Sequence, residues 1–504
     1  MTALSRAALT GGAIVGRHAE PAARPIEILQ IGEGVFLRGF VDWMVDVANE
    51  MGIYGGGVAV AAPRRHERPP ALRAQDGLYT VLLRGRENGA DVAARRIVTT
   101  VQAALDPYAQ WGEMLRLAAS PALKFLVSNT TEAGIVDVRE AYDAAACPDS
   151  FPAKVAALLK ARFDRLGGPA APGLIVLPCE LIENNGATLR WIVLEHAQRW
   201  GFDADCVAWI EGRCRFFDTL VDRIVPGFPR EEAESLFAEW GYRDPLAIVA
   251  EPFHLWVIEA PADVAEALPL ASAGANVVWA DDIRPYRERK VRLLNGTHTA
   301  SALAAFLAGL DTVGEMVADP QFSRALNRLV FDEIAPYVPL PEAERLGYAR
   351  SVLERFANPF IRHELISIAF NSVSKWRVRI LPTIRDALAD GKTAPPLLAF
   401  SLAALLWFYR GRKEGDGFAG RRAIGDYPIR DEPPVLAIMA EAWALEPAIG
   451  SGAVAARLMT DARLWGADLT QVGNLAADAL ATIEAIERRG VRAALENRLA
   501  SDGA

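Results

Sequence analysis

The chain has 504 residues, too many for one ordinary hydrophobic core, so two domains, or three, are expected. A formal net charge of -9 at pH 7 disfavours phosphate backbones, and no nucleic-acid partner is expected. The four cysteines (Cys147, Cys179, Cys206 and Cys214) form no Cys-x-x-Cys pair and no zinc-like spacing with histidine, which points to reduced thiols and no metal site.

From Met1 to His18 there is no sustained apolar stretch ahead of a cleavage site, so a cytoplasmic location is expected. Ile26–Ile31 reads as a strand and runs into Gly32-Glu33-Gly34-Val35-Phe36-Leu37-Arg38-Gly39. A helix follows, with an apolar stripe at Phe36, Leu37, Phe40, Val41, Met44, Val45, Ala48 and Met51. Arg38, Asp42, Asp46 and Asn49 fall on its other face, and Gly52 is placed to end it. Strand, glycine turn and helix is the arrangement that cradles a pyrophosphate. Gly32 permits the tight turn, Gly34 lets the backbone approach phosphate, and the helix start offers N–H groups. Leu37 stands where a third glycine is usual, so the bare motif also fits a purely structural turn. Ile31, Gly32, Glu33, Gly34, Val35, Phe36 and Arg38 form the candidate cofactor-binding segment.

Val58–Ala62 reads as the second strand and ends in Pro63-Arg64-Arg65. An acid that would hold a ribose 2′-hydroxyl is absent there, and the arginines suit either a 2′-phosphate or a solvated loop. The choice between NAD and NADP therefore stays open. Further apolar runs at Lys124–Ser128, Gly173–Leu177 and Asn276–Ala280 predict a parallel sheet covered on both faces. Pro178-Cys179-Glu180-Leu181-Ile182-Glu183-Asn184-Asn185-Gly186 follows one of these strands, where ligands of open α/β sheets bind. Asn185 is either an oxyanion donor or part of an Asn-Gly turn. Cys179 and Glu180 are set aside as a nucleophile–acid pair, since no histidine lies near them in sequence.

After about Pro285 strand signals nearly vanish. Helical patterns follow at roughly 286–309, 360–389, 394–411, 431–446 and 470–489, punctuated by Pro359, Gly391, Pro395-Pro396, Gly415-Gly417 and Pro433-Pro434. The expected division is a Rossmann-type α/β domain over residues 1–285 and an all-α domain over 286–504, with a ligand cleft between them. The longest apolar run, Leu397–Tyr409, is too short to span a bilayer and reads as a core helix, so no membrane partner is expected.

The densest chemistry lies in Glu288-Arg289-Lys290-Val291-Arg292-Leu293-Leu294-Asn295-Gly296-Thr297-His298. On an α-helix, Lys290, Asn295 and His298 fall within an arc of about 140°. A desolvated lysine near other cations suits a general base, an asparagine can donate to a developing alkoxide, and a histidine can hold hydroxyls. A solvated lysine and a packed histidine are the plainer alternatives.

These blocks together resemble the mannitol dehydrogenase family, the polyol-specific long-chain dehydrogenases, and within it the branch acting on sugar acids. The resemblance rests on Ile28–Gly34 with Phe40–Trp43, Ser128–Ile135, Pro178–Ile182 with Asn185-Gly186, Thr219–Val225, Glu288–His298, and Asn371–Lys375 with Arg377 and Arg379–Pro382. It runs from about residue 24 to 490. It implies a Rossmann-type domain before a helical one, a nicotinamide cofactor (NAD, with NADP open) and no catalytic metal. It implies interconversion of D-tagaturonate and D-altronate, with fructuronate or an uncharged polyol such as mannitol as alternatives. By resemblance Lys290 is the acid/base, Asn295 and Asn185 are oxyanion donors, His298 holds substrate, Thr131 joins the cofactor site, and Asp222 and Lys375 bind substrate. Ser367 stands where polyol enzymes place an arginine, so Arg377 or Arg379 is the expected partner of the substrate carboxylate. A metal-dependent sugar-acid epimerase is the rival from another class, against which His66, His196, His254 and His363 are scattered. A dinucleotide sensor without turnover is a third, against which stand Lys290, Asn295 and His298. No oligomeric state follows from the sequence.

Overall fold

The computed structural model describes residues 1–65, 69–131, 133–414 and 417–500. His66, Glu132, Gly415 and Asp416 lie outside the described residues, as do 67–68 and 501–504. The chain divides into two compact units, residues 1–85 with 90–283, and residues 86–89 with 284–504.

The first unit is built on a six-stranded parallel sheet. Its strands are β1 (Ile26–Ile31), β2 (Gly57–Ala61), β3 (Val101–Leu105), β4 (Phe125–Ser128), β5 (Ile175–Pro178) and β6 (Arg215–Phe216). Their order across the sheet is β3-β2-β1-β4-β5-β6. Chain order therefore reverses between β1 and β4, the doubly wound arrangement that leaves a crevice at their C-terminal ends. Alternate residues serve opposite cores. Ile28, Val58, Val60 and Val127 pack on one face with Met44 and Trp256. Leu29, Ile31, Ala59 and Leu126 pack on the other with Leu159 and Ile192.

Asn276–Ala280, expected among the parallel strands, belongs elsewhere. Val277–Ala280 pairs with Leu255–Glu259, which pairs with Thr219–Asp222, in a separate three-stranded sheet. A hairpin of Tyr79–Glu87 and Ala90–Val98 was also not foreseen, although Asn88-Gly89 marks its turn. The helix expected after the glycine turn is two helices, α1 (Val35–Arg38) and α2 (Val41–Glu50), broken at Gly39 and Phe40. A side chain at Gly39 would lie 3.1 Å from Val225 and 3.2 Å from Ile248, so the break follows from close packing. Gly52 ends α2 in the left-handed conformation as expected, at φ 68°.

The supposed outer face of α2 is the main surprise here. Arg38, Asp42, Asp46 and Asn49 are all buried. The hairpin and the chain after it cover them and supply partners. Arg96 and Thr99 bind Asp46, and Thr100 and the carbonyl of Gly56 bind Asn49. Charged residues on a helix are compatible with burial once each has a hydrogen-bonded partner.

The second unit is helical, as expected, with one departure. Gly411–Glu414, Gly417–Arg422 and Gly425–Ile429 form a small antiparallel sheet. The helix Pro396–Phe408 is buried nearly all round and packs against Thr297–Leu307 and Leu475–Ala500. Among the described residues, no helix is long and apolar enough to cross a membrane. The region expected as one helix over 360–389 is Leu365–Ile368, Ser372–Arg379 and Leu381–Ala389, interrupted by a left-handed Asn371 at φ 53°.

Candidate active site

In the first unit, the glycine turn sits at the reversal point between β1 and β4. Gly32 has φ 133°, and a Cβ there would lie 2.8 Å from the carbonyl oxygen of Asn129. Only glycine fits that conformation beside that strand. A Cβ on Gly34 would meet no atom within 4 Å, so the turn is open on that side. An open turn whose following N–H groups lack intrahelical acceptors fits a dinucleotide pyrophosphate. Gly32, Glu33 and Gly34, with Val35 and Phe36 half-buried behind them, are placed to line it. Ile31 is fully buried in the core, so only its main chain can take part.

Arg38 is placed differently from the expectation of a cofactor ligand. Its guanidinium donates to the carbonyls of Glu33 and Leu246 at 3.2 and 2.9 Å and lies over the ring of Tyr79. It braces the turn from beneath. Tyr79 donates to the carbonyl of Arg38 and to Asp42, both at 3.0 Å, while Gln30 donates to the carbonyl of Gly32 at 3.0 Å. Burial raises the Asp42 carboxyl to about 7.

The loop after β4 is held by Glu180. Its carboxylate accepts from the hydroxyls of Ser128 and Thr130 and from the Thr130 N–H, at 2.9–3.0 Å. Burial pushes both the Glu180 carboxyl and the Cys179 thiol up, and neither is exposed. Thr131, next in line, has φ 132°, rare for a β-branched residue, and its hydroxyl accepts from exposed Arg64 at 3.2 Å. Asp222 is buried at the end of its strand.

Asn185 corrects the expectation of an oxyanion donor. Its amide N–H groups go to the carbonyls of Pro178, Glu180 and Thr219, each at 3.0 Å. Its amide oxygen accepts from the N–H groups of Gly186 and Thr219 at 2.9 Å. The side chain is 1% exposed. With both amide hydrogens used by backbone, Asn185 is a staple joining the ends of two strands.

In the second unit, Lys290 and Asn295 lie on a π-helical segment, Lys290–Gly296, between α-helices Arg284–Arg289 and Thr297–Leu307. The α-helical arc of the sequence reading therefore does not apply. Hydrogen bonding from i to i+5 winds more residues into each turn and brings positions five apart towards one face. Lys290, Asn295 and His298 are each half-buried. The Thr299 hydroxyl donates to the carbonyl of Asn295 at 2.8 Å and accepts from Arg379 at 3.2 Å. Gly296 faces the last turn of Ser372–Arg379, where an added Cβ would sit 3.4 Å from the Arg379 carbonyl.

Lys375 and Arg379, four apart on that helix, share a face, whereas exposed Arg377 projects towards Gly466. Lys375 donates to the carbonyl of Ile368 at 3.1 Å. Burial, then Arg379, lowers the Lys375 pKa, and burial lowers that of Arg379. Burial holds His298 well below the usual histidine value, and His363, Arg355, Arg379 and Lys375 push the same way. His363, set aside in the sequence as one of several scattered histidines, has its ring 5.1 Å from that of His298. Spacing held no signal for it or for Arg355. Ser367 is exposed, and its hydroxyl donates to the carbonyl of Glu364.

Two family models cover the chain, the mannitol dehydrogenase Rossmann domain over residues 26–272 and the mannitol dehydrogenase C-terminal domain over 282–487. The chain belongs to the mannitol dehydrogenase family. It is an oxidoreductase acting on a CH–OH group. An altronate oxidoreductase of Halalkalibacterium halodurans is 41% identical over 482 residues, which cover 94% of this chain and 93% of that one. One from Yersinia pestis is 42% identical over 476 residues, covering 94% and 97%. Among solved structures, a substrate-free D-sorbitol dehydrogenase superposes with a TM-score of 0.79 at 24% identity, covering 98% of this chain and all of that one. The Pseudomonas fluorescens mannitol 2-dehydrogenase complex with NAD and D-mannitol gives 0.68 at 23% identity, covering 99% and 100%. The two structures share the fold.

Proposed function

We propose that this family member is a tagaturonate reductase, interconverting D-tagaturonate and D-altronate with NADH and NAD⁺. The observation that carries this is the cationic neighbourhood of His298, made by Arg355, Lys375 and Arg379, beside the π-helical segment that bears Lys290 and Asn295. Such a neighbourhood suits a substrate with a carboxylate. The names of the relatives, altronate oxidoreductases, support the same substrate pair.

The glycine turn at Gly32–Gly34 holds the pyrophosphate of the cofactor, with Thr131 and the braced loop after β4 beside it. The nicotinamide, when bound, supplies or accepts the hydride. Lys290 gives its Nζ proton to the carbonyl oxygen during reduction and takes it back during oxidation. Asn295 donates to the same oxygen as negative charge develops. His298 and Lys375 hold substrate oxygens, Asp222 binds hydroxyl groups, and Arg379 pairs with the carboxylate. NAD is the proposed cofactor and NADP the second candidate, since Arg64 and Arg65 leave the second strand without an acid. The mechanism uses no metal.

The test is consumption of NADH with tagaturonate, fructuronate and fructose, for the wild type and Lys290→Ala. Turnover of tagaturonate above the other two, falling about 10²- to 10⁴-fold in the variant, is the expected result. Turnover of fructose or fructuronate instead would replace the substrate. Undiminished turnover in the variant would remove Lys290 from the chemistry.

A further inference from the structure

His363 lies outside every role described so far, yet the fold delivers it to the substrate site. The ring centroids of His298 and His363 are 5.1 Å apart at an angle of 40°, and those of His298 and Phe356 are 3.9 Å apart with the rings nearly perpendicular. His363 is not on a loose loop. Its carbonyl accepts from the N–H of Val313 at 2.9 Å, the N–H of Leu365 donates to the carbonyl of Asp311 at 2.8 Å, and Thr312 bridges Glu364. The main chain at His363 and the two residues after it is thus fixed.

We propose that His363 is a specificity residue, its imidazole and that of His298 together donating to the carboxylate end of a sugar acid. The inference rests on the sugar-acid reading above. Two neighbouring neutral imidazoles carry one N–H donor each, which matches in number the two oxygens of a carboxylate. After His363 itself, the groups that act most strongly on His298 are Arg355, Arg379 and Lys375, all cationic. Asp431 acts on Lys375 in the opposite sense and raises its pKa. Burial keeps His363 below the usual histidine value, so its ring is neutral and keeps one N–H to give.

The experiment compares KM and kcat for tagaturonate with those for fructose, an uncharged ketose, read as a competitive inhibitor where it is not turned over. The variants are His363→Ala, His363→Phe and His363→Asn. The phenylalanine variant removes the donor while filling the space, and so serves where the alanine variant does not fold. Affinity for NADH, which binds the other unit, reports an intact protein. The expected result is a rise of about tenfold or more in KM for tagaturonate in the alanine and phenylalanine variants, with kcat and the fructose constants little changed. His363→Asn, which retains an N–H donor, is expected within about threefold of wild type. Unchanged KM for tagaturonate, or an equal change for acid and ketose, would overturn the proposal. A wild type that reduces fructose and no sugar acid would overturn the sugar-acid reading, and this inference with it. With tagaturonate turned over by the wild type, the His363 variants alone decide.

Discussion

Arg377 and Arg379 look interchangeable in the sequence, and two residues of helix separate them completely. Successive helical residues step by about 100°, so positions two apart point nearly opposite ways. Arg379 shares the face of Lys375, is partly buried and reaches Thr299, while Arg377 is exposed. Arg379→Leu is therefore expected to raise KM for the sugar acid about 10- to 100-fold, the loss of a charge-assisted pair, and Arg377→Leu to leave it within about twofold. Steady-state kinetics on the two variants check this, and the reverse ranking would reassign the carboxylate. Asn185 teaches the same lesson. Its amide had an inviting position after a strand, but five backbone contacts consume it.

At the scale of elements, the glycine turn depends on what lies beneath it. Arg38, Asp42, Tyr79 and Gln30 form a buried polar layer under Gly32–Gly34. Asp42 is raised from 3.8 to about 7, with burial the largest cause. Between those values the folded protein holds a proton that the unfolded chain has released. The contribution of this carboxyl to stability is therefore fully present below the unfolded value and is lost as pH rises through the folded one. Asp42→Asn keeps an acceptor for Tyr79 and Gln30 and does not titrate. The Tm of the wild type relative to this variant is expected to fall as pH rises from about 4 to about 7.5, measured by thermal unfolding across that range. A constant difference would mean that Asp42 stays ionised. The π-helical segment is the other element that matters. Leu293 and Gly296 are buried along it while Lys290 and Asn295 stay half-open, so the locally unwound turn is packed on one side.

At the scale of the molecule, the labour is divided, with the proposed cofactor turn in one unit and the proposed acid/base in the other. Lys290→Ala is expected to bind NADH within about twofold of wild type while losing turnover. Gly32→Ala, which forces a side chain into a φ of 133° and against the Asn129 carbonyl, is expected to lose NADH binding itself. Nucleotide fluorescence titration separates the two, and a shared loss of affinity would refute the division. The sequence by itself determined the family, the two-part architecture and the chemical segments, because continuous apolar strands, a glycine turn and the Lys290–His298 block are local patterns. It did not reveal that the polar face of α2 is interior, since a helix carries no mark of which neighbour covers it. Nor did it reveal the π-helical winding at Lys290, because hydrogen bonding from i to i+5 there is imposed by packing against other helices. The pairing of His298 with His363 was invisible for the same reason. Tertiary structure alone decided which polar groups are already satisfied by backbone.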